Sequence, residues 1–164
     1  MAGIQREITL RFLAQPKDVN YGGKVFGGTV MGWIDQAAYA LSVGWSGRYA
    51  VTVYVGGIQF EAPVPIGSLV EVNARLLHTG SSSMHIGVDV YATNPRAGAV
   101  TRQRNTHCIV VFVAIDDDGR AVPVPEYVPQ TDEERELQAY AQRLMQLRSA
   151  VEEERRAFLA KRGS

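Results

Sequence analysis

The feature that most constrains this chain is a segment of small and apolar residues, residues 27–45, interrupted by a single carboxylate, Asp35. Its apolar positions recur with the period of an α-helix, at Val30, Ile34, Ala37, Leu41 and Trp45. The positions between them are also largely small or apolar, as at Gly27, Gly28, Gly32, Ala38 and Ala40. A helix of this composition is typical of burial on nearly all sides. We therefore predict a central helix with a sheet wrapped around it.

Five segments have the composition of β-strands. Residues 8–12 precede the helix, and residues 49–60, 69–78, 84–93 and 106–116 follow it. Turn-forming residues separate the later strands, at 63–67, 79–83, 94–98 and 116–119. Short connections favour hairpins, so the predicted fold class is α+β with a five-stranded antiparallel sheet. An edge strand of such a sheet is open to pairing with a second copy, and we expect at least a homodimer.

The C-terminal part of the chain differs from the rest. Pro123, Pro125 and Pro129 mark a boundary near residue 130, which divides the chain into a domain of residues 1–130 and an amphipathic, charged helix within residues 131–164. Thr131 and Glu134 have capping-box spacing. Apolar residues then repeat every seven positions, at Leu137, Leu144, Val151 and Phe158. This stripe either packs in part on its own domain, with the remainder frayed, or contacts another subunit.

The charge balance excludes several classes of partner. The chain has 17 basic and 17 acidic residues, so there is no basic field for nucleic acid or an anionic membrane. The N-terminus lacks the apolar stretch of a signal peptide, and there is no apolar run of about 18 residues. We therefore expect a cytoplasmic protein without nucleic-acid or membrane partners. Cys108 is the single cysteine, which leaves no disulfide within one chain.

Few residues are candidates for chemistry. His78, His85, His107 and Cys108 do not have metal-ligand spacing, so we expect no metal site. Asp35 is unusual because helix interiors and apolar surroundings both disfavour aspartate. It must either meet water in a cleft or have a partner from elsewhere in the molecule. We interpret Asp35 as a general base, and the alternative is a carboxylate on a solvated helix edge.

Glycines at the predicted helix start suggest a second element of a site. The first backbone N–H groups of a helix have no intrahelical acceptor and carry the positive end of its dipole. Gly27 and Gly28 would let a carbonyl oxygen approach these groups closely, which is an oxyanion-stabilising arrangement. The alternative is that these glycines serve packing alone.

The segment VNYGGKVFGGTVMGWIDQAA, residues 19–38, resembles the corresponding segment of the hotdog-fold acyl-CoA thioesterases, of the branch with single or tandem domains. Four further segments support the resemblance: VTV at 51–53, IQFEAPVPIG at 58–67, TGSSSM at 79–84 and VFVAID at 111–116. The resemblance implies a hotdog fold, in which the sheets of two subunits join edge to edge. It also implies hydrolysis of acyl-CoA without a cofactor, and a homodimer or a hexamer built as a trimer of dimers.

The resemblance assigns roles to individual residues. Asp35 would activate or orient the attacking water, and Asn20 would come from the facing subunit to position water or the thioester carbonyl. The amides near Gly27 and Gly28 would hold the oxyanion. The CoA-contacting residues would be Gly80, Ser82 and Ser83, with Arg102 and Arg104 as partners for the nucleotide phosphates. For the two arginines, a solvated strand face is an equal alternative.

Two other functions compete with thioester hydrolysis. A hotdog dehydratase needs a histidine at the start of the central helix, and there is none before His78. A non-catalytic acyl-binding or regulatory hotdog module would keep the pocket without a need for Asp35.

Overall fold

The computed structural model describes residues 2–97 and 102–162. The elements in chain order are β1 (Glu7–Leu13), α1 (Gly27–Ser46), β2 (Ala50–Phe60), β3 (Leu69–Thr79), β4 (Ser83–Thr93), β5 (Arg102–Ala114) and α2 (Asp132–Ala160). A short 3-10 turn, Pro16–Asp18, lies between β1 and α1. The chain divides into two compact units, Met1–Tyr127 and Val128–Ser164. Gly98, in the predicted 94–98 turn, and the tail residues Gly163 and Ser164 lie outside the described residues.

The five strands form one antiparallel sheet in the order β1-β3-β4-β5-β2. Strand β4 pairs antiparallel with both β3 and β5, as the predicted hairpins require. The predicted hairpin between the second and third strands is wrong, because β2 pairs with β5 at one edge while β3 lies beside β1 near the other. The last strand also begins four residues earlier than the predicted position 106. The first residues of β5, from Arg102 onward, are polar and lack the apolar composition that predicts a strand, although they pair with β4.

Residues 61–68 cross the end of the sheet instead of folding back as a hairpin. Asn105 holds the start of this crossing, because its Nδ2 donates to the carbonyl oxygens of Ala62 at 3.1 Å and Pro63 at 3.2 Å. At the other side, the backbone N of Ala14 donates to the Ser68 carbonyl at 3.0 Å. The crossing therefore carries the chain from the β2 edge, past β5, to the β1 side.

Helix α1 contacts all five strands and packs one face against the sheet. The predicted inward positions are confirmed, with exposures between 0% and 3% at Val30, Ile34, Ala37, Leu41 and Trp45. The opposite face is exposed, at Gly28, Met31, Gly32, Asp35 and Tyr39. The prediction of burial on nearly all sides is thus wrong for the protomer. Small residues such as Gly28 and Gly32 also occur on the outward face, so composition alone did not mark that face as exposed.

Helix α2 forms over the predicted range and begins with the predicted cap. The Thr131 hydroxyl accepts a hydrogen bond from the backbone N of Glu134 at 3.1 Å, and the Glu134 carboxylate accepts one from the backbone N of Gln130 at 2.5 Å. Val151 and Phe158, in the second half of the apolar stripe, are exposed. No helix within residues 2–97 and 102–162 combines the length and hydropathy needed to cross a membrane.

Candidate active site

The loop before α1 fixes the position and orientation of Asn20. Val19 and Val25 form a β-bridge, which makes the residues between them a tight turn. The Asn20 Oδ1 accepts hydrogen bonds from the backbone N–H groups of Gly22 at 2.9 Å and Lys24 at 3.1 Å. Because both neighbours are donors, this atom must be the oxygen of the amide. The Asn20 Nδ2 has no acceptor within the described residues. Asn20 therefore offers hydrogen-bond donors, and not an acceptor, to a substrate.

The first turn of α1 leaves two backbone donors without an acceptor. Phe26 is the N-cap and its carbonyl accepts from Thr29 at 2.9 Å and Val30 at 3.3 Å. Within residues 2–97 and 102–162 there is no acceptor for the N–H groups of Gly27 and Gly28. No acidic side chain lies in this turn to neutralise the helix dipole. These two amides can therefore stabilise a developing negative charge on oxygen.

The space around these amides depends on Gly27 and Gly28 having no side chain. A Cβ on Gly28 would lie 2.7 Å from Cε1 of Phe26, whereas a Cβ on Gly27 would lie at an ordinary 3.6 Å from Cζ of Phe60. The absence of a side chain at Gly28 is therefore required by the present position of the Phe26 ring.

Asp35 lies on the exposed face of α1, which corrects the expectation that it is buried. Its Oδ1 accepts a hydrogen bond from the Thr52 hydroxyl of β2 at 2.6 Å. No Lys, Arg or His pairs with it among the described residues. Beside the carboxylate is a narrow apolar cavity of about 20 Å³, lined by Met31, Ile34, Val55, Ile58 and Val110. The arrangement is a carboxylate held by one hydroxyl on an otherwise apolar surface.

Thr52, which donates to Asp35, is a candidate site residue to which the sequence analysis assigns no role. A threonine within a strand is common, so its residue type carries no signal. The segment VTV at 51–53 belongs to the run that pairs with β5, and that register places Thr52 opposite Phe112. To predict the contact between Thr52 and Asp35, one would have to know that β2 lies alongside α1. That placement depends on the order of the strands in the sheet.

Asn20 and Gly27 line one cavity of about 340 Å³ together with Lys24, Phe60 and Glu61. Val25, Val30 and residues 62–64 complete its walls. Asp35 is not among the residues that line it. Within one protomer, therefore, Asn20 shares a cavity with Gly27, one of the two predicted oxyanion groups, while the predicted base Asp35 lines a different cavity.

The predicted CoA-contacting residues lie at the other end of the sheet from the start of α1. Gly80, Ser82 and Ser83 form the β3–β4 turn, where the Gly80 N donates to the Ser83 carbonyl at 2.9 Å. The Ser82 carbonyl accepts from Ala114, the last residue of β5, at 3.0 Å. Since α1 begins at the first residues of β5 and not the last, one protomer does not bring this turn together with Asn20.

Both predicted arginines already have carboxylate partners. The Arg102 Nε donates to Glu71 at 2.9 Å, and its guanidinium carbon lies 3.4 Å from the centroid of the Tyr91 ring. Hydrogen bonds from Arg102 and then Arg11 hold the pKa of the Glu71 carboxyl below its usual range. Arg104 makes two hydrogen bonds to Glu61, at 3.1 and 3.3 Å, which raise the pKa of Arg104.

The remaining candidate ligands do not assemble into a metal site. In the part of the chain that the structure describes, no three His, Cys, Asp or Glu side chains are placed to hold a metal ion. The His107 Nδ1 lies 3.0 Å from an Asp89 carboxylate oxygen across β4 and β5. Burial, with a smaller contribution from Asp89, raises the pKa of the Cys108 thiol to about 12. Cys108 is therefore an unreactive core residue, as its apolar neighbours predict.

Comparison with known structures identifies the fold. A crystal structure of a hexameric acyl-CoA thioesterase superimposes with a TM-score of 0.84 at 28% identity, covering 92% of this chain and 95% of that one. Acyl-CoA hydrolase from Staphylococcus aureus, in complex with butyryl coenzyme A and coenzyme A, gives a TM-score of 0.87 at 23% identity, covering 100% and 99%. That enzyme has also been solved with alanine in place of an asparagine, an aspartate or a threonine. The fold is the hotdog fold.

Sequence comparison identifies the family. A family model described as the thioesterase superfamily matches residues 22–99. The acyl-CoA thioester hydrolase YciA of Salmonella typhimurium is 34% identical over 122 residues, which span 74% of this chain and 92% of that protein. The chain therefore belongs to the acyl-CoA thioester hydrolases of the thioesterase superfamily.

Proposed function

We propose that this protein hydrolyses acyl-CoA thioesters to a free fatty acid and CoA, with Asp35 as the general base or water-orienting group. The observation that carries the proposal is the Asp35 carboxylate, hydrogen-bonded to Thr52 at 2.6 Å and without a cationic partner in the described ranges. A carboxylate paired with a cation would be a weaker proton acceptor. A hydroxyl instead fixes its orientation and leaves the second oxygen available to a water molecule.

In the proposed reaction, Asp35 accepts a proton as the water oxygen attacks the thioester carbonyl carbon. The N–H groups of Gly27 and Gly28 bind the resulting oxyanion. The intermediate collapses with cleavage of the carbon–sulfur bond, and the departing CoA thiolate takes up a proton. Asn20 contributes through its Nδ2, which donates to the carbonyl oxygen or to the attacking water.

The proposed site is shared between subunits. Asn20 and Asp35 line different cavities of one protomer, which is expected if each completes the site of a facing copy. The outward face of α1 and β2 carries exposed apolar side chains that a second copy would cover, at Met31, Tyr39, Val53 and Val55. A dimer is the smallest assembly that satisfies this arrangement. We propose that these dimers assemble into a hexamer, as in the similar thioesterase of known structure.

CoA recognition is proposed to use the β3–β4 turn of the facing subunit, with Gly80, Ser82 and Ser83. The separation of this turn from Asn20 within one protomer fits a CoA molecule that contacts two subunits. Arg102 and Arg104 would contact the nucleotide phosphates only by sharing their guanidinium groups with Glu71 and Glu61.

The test is thiol release from purified protein over acyl-CoA substrates from acetyl to palmitoyl. We expect Asp35→Asn to lower kcat by about two orders of magnitude or more, because general base catalysis contributes that much. Circular dichroism and the Tm should match wild type, since Asp35 is exposed and its Thr52 hydrogen bond can be kept by asparagine. Wild-type turnover in Asp35→Asn would exclude the assigned role. Binding of CoA without thiol release from any substrate would favour the non-catalytic module.

The shared site has its own test. Asn20→Ala and Asp35→Ala chains are each expected to be inactive alone. Mixed dimers would contain sites in which both residues are intact, so mixing should restore part of the activity. Absence of recovery, in dimers shown by mass spectrometry to be mixed, would contradict sites built across the interface.

A further inference from the structure

Lys24 is a cation placed beside the proposed reaction centre. It lines the same cavity of about 340 Å³ as Asn20 and Gly27. Its backbone is fixed on both sides, because its N–H donates to the Asn20 Oδ1 at 3.1 Å and its carbonyl accepts from the Asn20 N at 2.7 Å. A β-bridge to Pro65 ties it to the crossing segment as well. The base of this side chain is therefore held at the cavity while its ammonium group is free to reach into it.

No carboxylate neutralises Lys24 within residues 2–97 and 102–162. The lack of a carboxylate partner distinguishes Lys24 from Arg102 and Arg104 of β5. Arg102 is bound to Glu71 and stacked on Tyr91, and Arg104 is bound to Glu61.

The charges around this cavity favour an anion. Besides Lys24, the described lining residues include one charged side chain, Glu61, and Arg104 neutralises it through two hydrogen bonds. The free amide of Gly27, at the start of α1, adds the positive end of the helix dipole at the same cavity. Among the described residues that line this cavity, the one charge without an opposite partner is therefore the positive charge of Lys24.

We infer that Lys24 binds an anionic oxygen group of the thioester substrate and so sets substrate specificity. This inference rests on the proposed thioesterase function. Two parts of an acyl-CoA can supply such a group: a phosphate of the CoA moiety, or a carboxylate at the far end of a dicarboxylic acyl group. Both would replace the water around a lysine ammonium by a charge-assisted hydrogen bond.

The experiment compares Lys24→Met with wild type on four substrates: butyryl-CoA, succinyl-CoA, and the same two acyl groups on pantetheine, which lacks the nucleotide phosphates. We expect KM to rise by about 5-fold for the substrates that carry the recognised anion, as befits a partly exposed charge contact. Lys24→Arg should recover most of the loss. Lys17→Met is the matched control, since Lys17 belongs to the same loop region, has no ion pair among the described residues and does not line the cavity.

The four substrates separate the two sources of the anion. A rise in KM for both CoA thioesters and for neither pantetheine thioester identifies a CoA phosphate. A rise confined to the two succinyl substrates identifies an acyl carboxylate. In either case, the effect should shrink as salt is raised, because screening weakens an exposed contact. Unchanged KM for all four substrates at low ionic strength would overturn the inference.

Failure of the proposed function would be recognised separately. If wild-type protein releases no thiol from any substrate, calorimetric titration with CoA and with succinyl-pantetheine still reports on Lys24. Binding of one of them that weakens in Lys24→Met supports the anion contact, and equal affinities or absence of binding refute it.

Discussion

Replacing Asn20 by aspartate separates two roles that the structure gives to this side chain. Its Oδ1 holds the loop through the N–H groups of Gly22 and Lys24, at 2.9 and 3.1 Å. Its Nδ2 faces away from these bonds and is the group proposed to act on the substrate. Aspartate keeps an acceptor oxygen for the loop and removes both N–H donors, whereas alanine removes the acceptor and the donors together.

The expected magnitudes follow from these contacts. Each of the two loop hydrogen bonds contributes about 0.5–1.5 kcal/mol, and because the loop is exposed we expect the lower end. Asn20→Ala should therefore lose about 1 kcal/mol of unfolding free energy, or roughly 3 °C in Tm for a chain of this size. Asn20→Asp should stay near wild type in Tm. Loss of a donor that stabilises the transition state lowers kcat by about 100- to 1,000-fold, and we expect this loss in both variants.

The assay is kcat for thiol release, measured with the Tm of each variant, and Lys17→Met serves as a control in the same loop region. The donor interpretation requires that Asn20→Asp be stable and inactive. Wild-type kcat in Asn20→Asp would show that an acceptor at position 20 suffices, and the reasoning from the Oδ1 contacts would be refuted. Equal losses of Tm in both variants would show that the Oδ1 contacts do not stabilise the loop.

Three further predictions concern groups around the site and in the sheet. Thr52→Val should lower kcat for thiol release by about 10-fold by freeing the Asp35 carboxylate, and Thr52→Ser should restore it; equal rates in both variants would contradict this. Cys108, with a pKa raised to about 12 by burial, should not react with a disulfide reagent in the native protein and should react once per chain after unfolding; rapid native reaction would be the contrary result. The pKa of Glu71 is lowered from 4.5, first by Arg102 and then by a second arginine, so its contribution to stability is present at neutral pH and is lost as pH falls below that value. The stability gap between wild type and Glu71→Gln, measured by urea unfolding, should close in the same range, and a pH-independent gap would refute the linkage.

The local features of the site were predicted from the sequence because they lie within one short segment. Asn20, Gly27 and Asp35 all fall within residues 19–38, where the chain itself sets the spacing between a loop, a helix start and the next two helical turns. The inward face of α1 was predicted for the same reason, since a period of 3.6 residues is a property of the local sequence. No knowledge of strand pairing was needed for these features.

The order of the sheet was not predictable from connection length. Eight residues, 61–68, are short enough for a hairpin, and the sequence contains turn-forming prolines and a glycine there. The crossing is held in part by Asn105, some 40 residues further on, whose Nδ2 donates to the carbonyl oxygens of Ala62 and Pro63. An asparagine in a strand does not show from its own neighbours which carbonyl oxygens it will bind.

Partners that are distant in the sequence also decide which cations are available to a ligand, as the two arginines and Lys24 show. In the sequence, Arg102 and Arg104 are cations in a weakly charged region, so they are natural partners for phosphate. Their carboxylates come from positions 31 and 43 residues away, and pairing across strands reduces the charge that each can offer to a ligand. Lys24 lies in a turn where the Asn20 Oδ1 accepts from backbone groups, and among the described residues no carboxylate forms an ion pair with it. The cation best suited to bind substrate is therefore determined by which positive charges the fold leaves without a partner, and not by the number of positive charges in a segment.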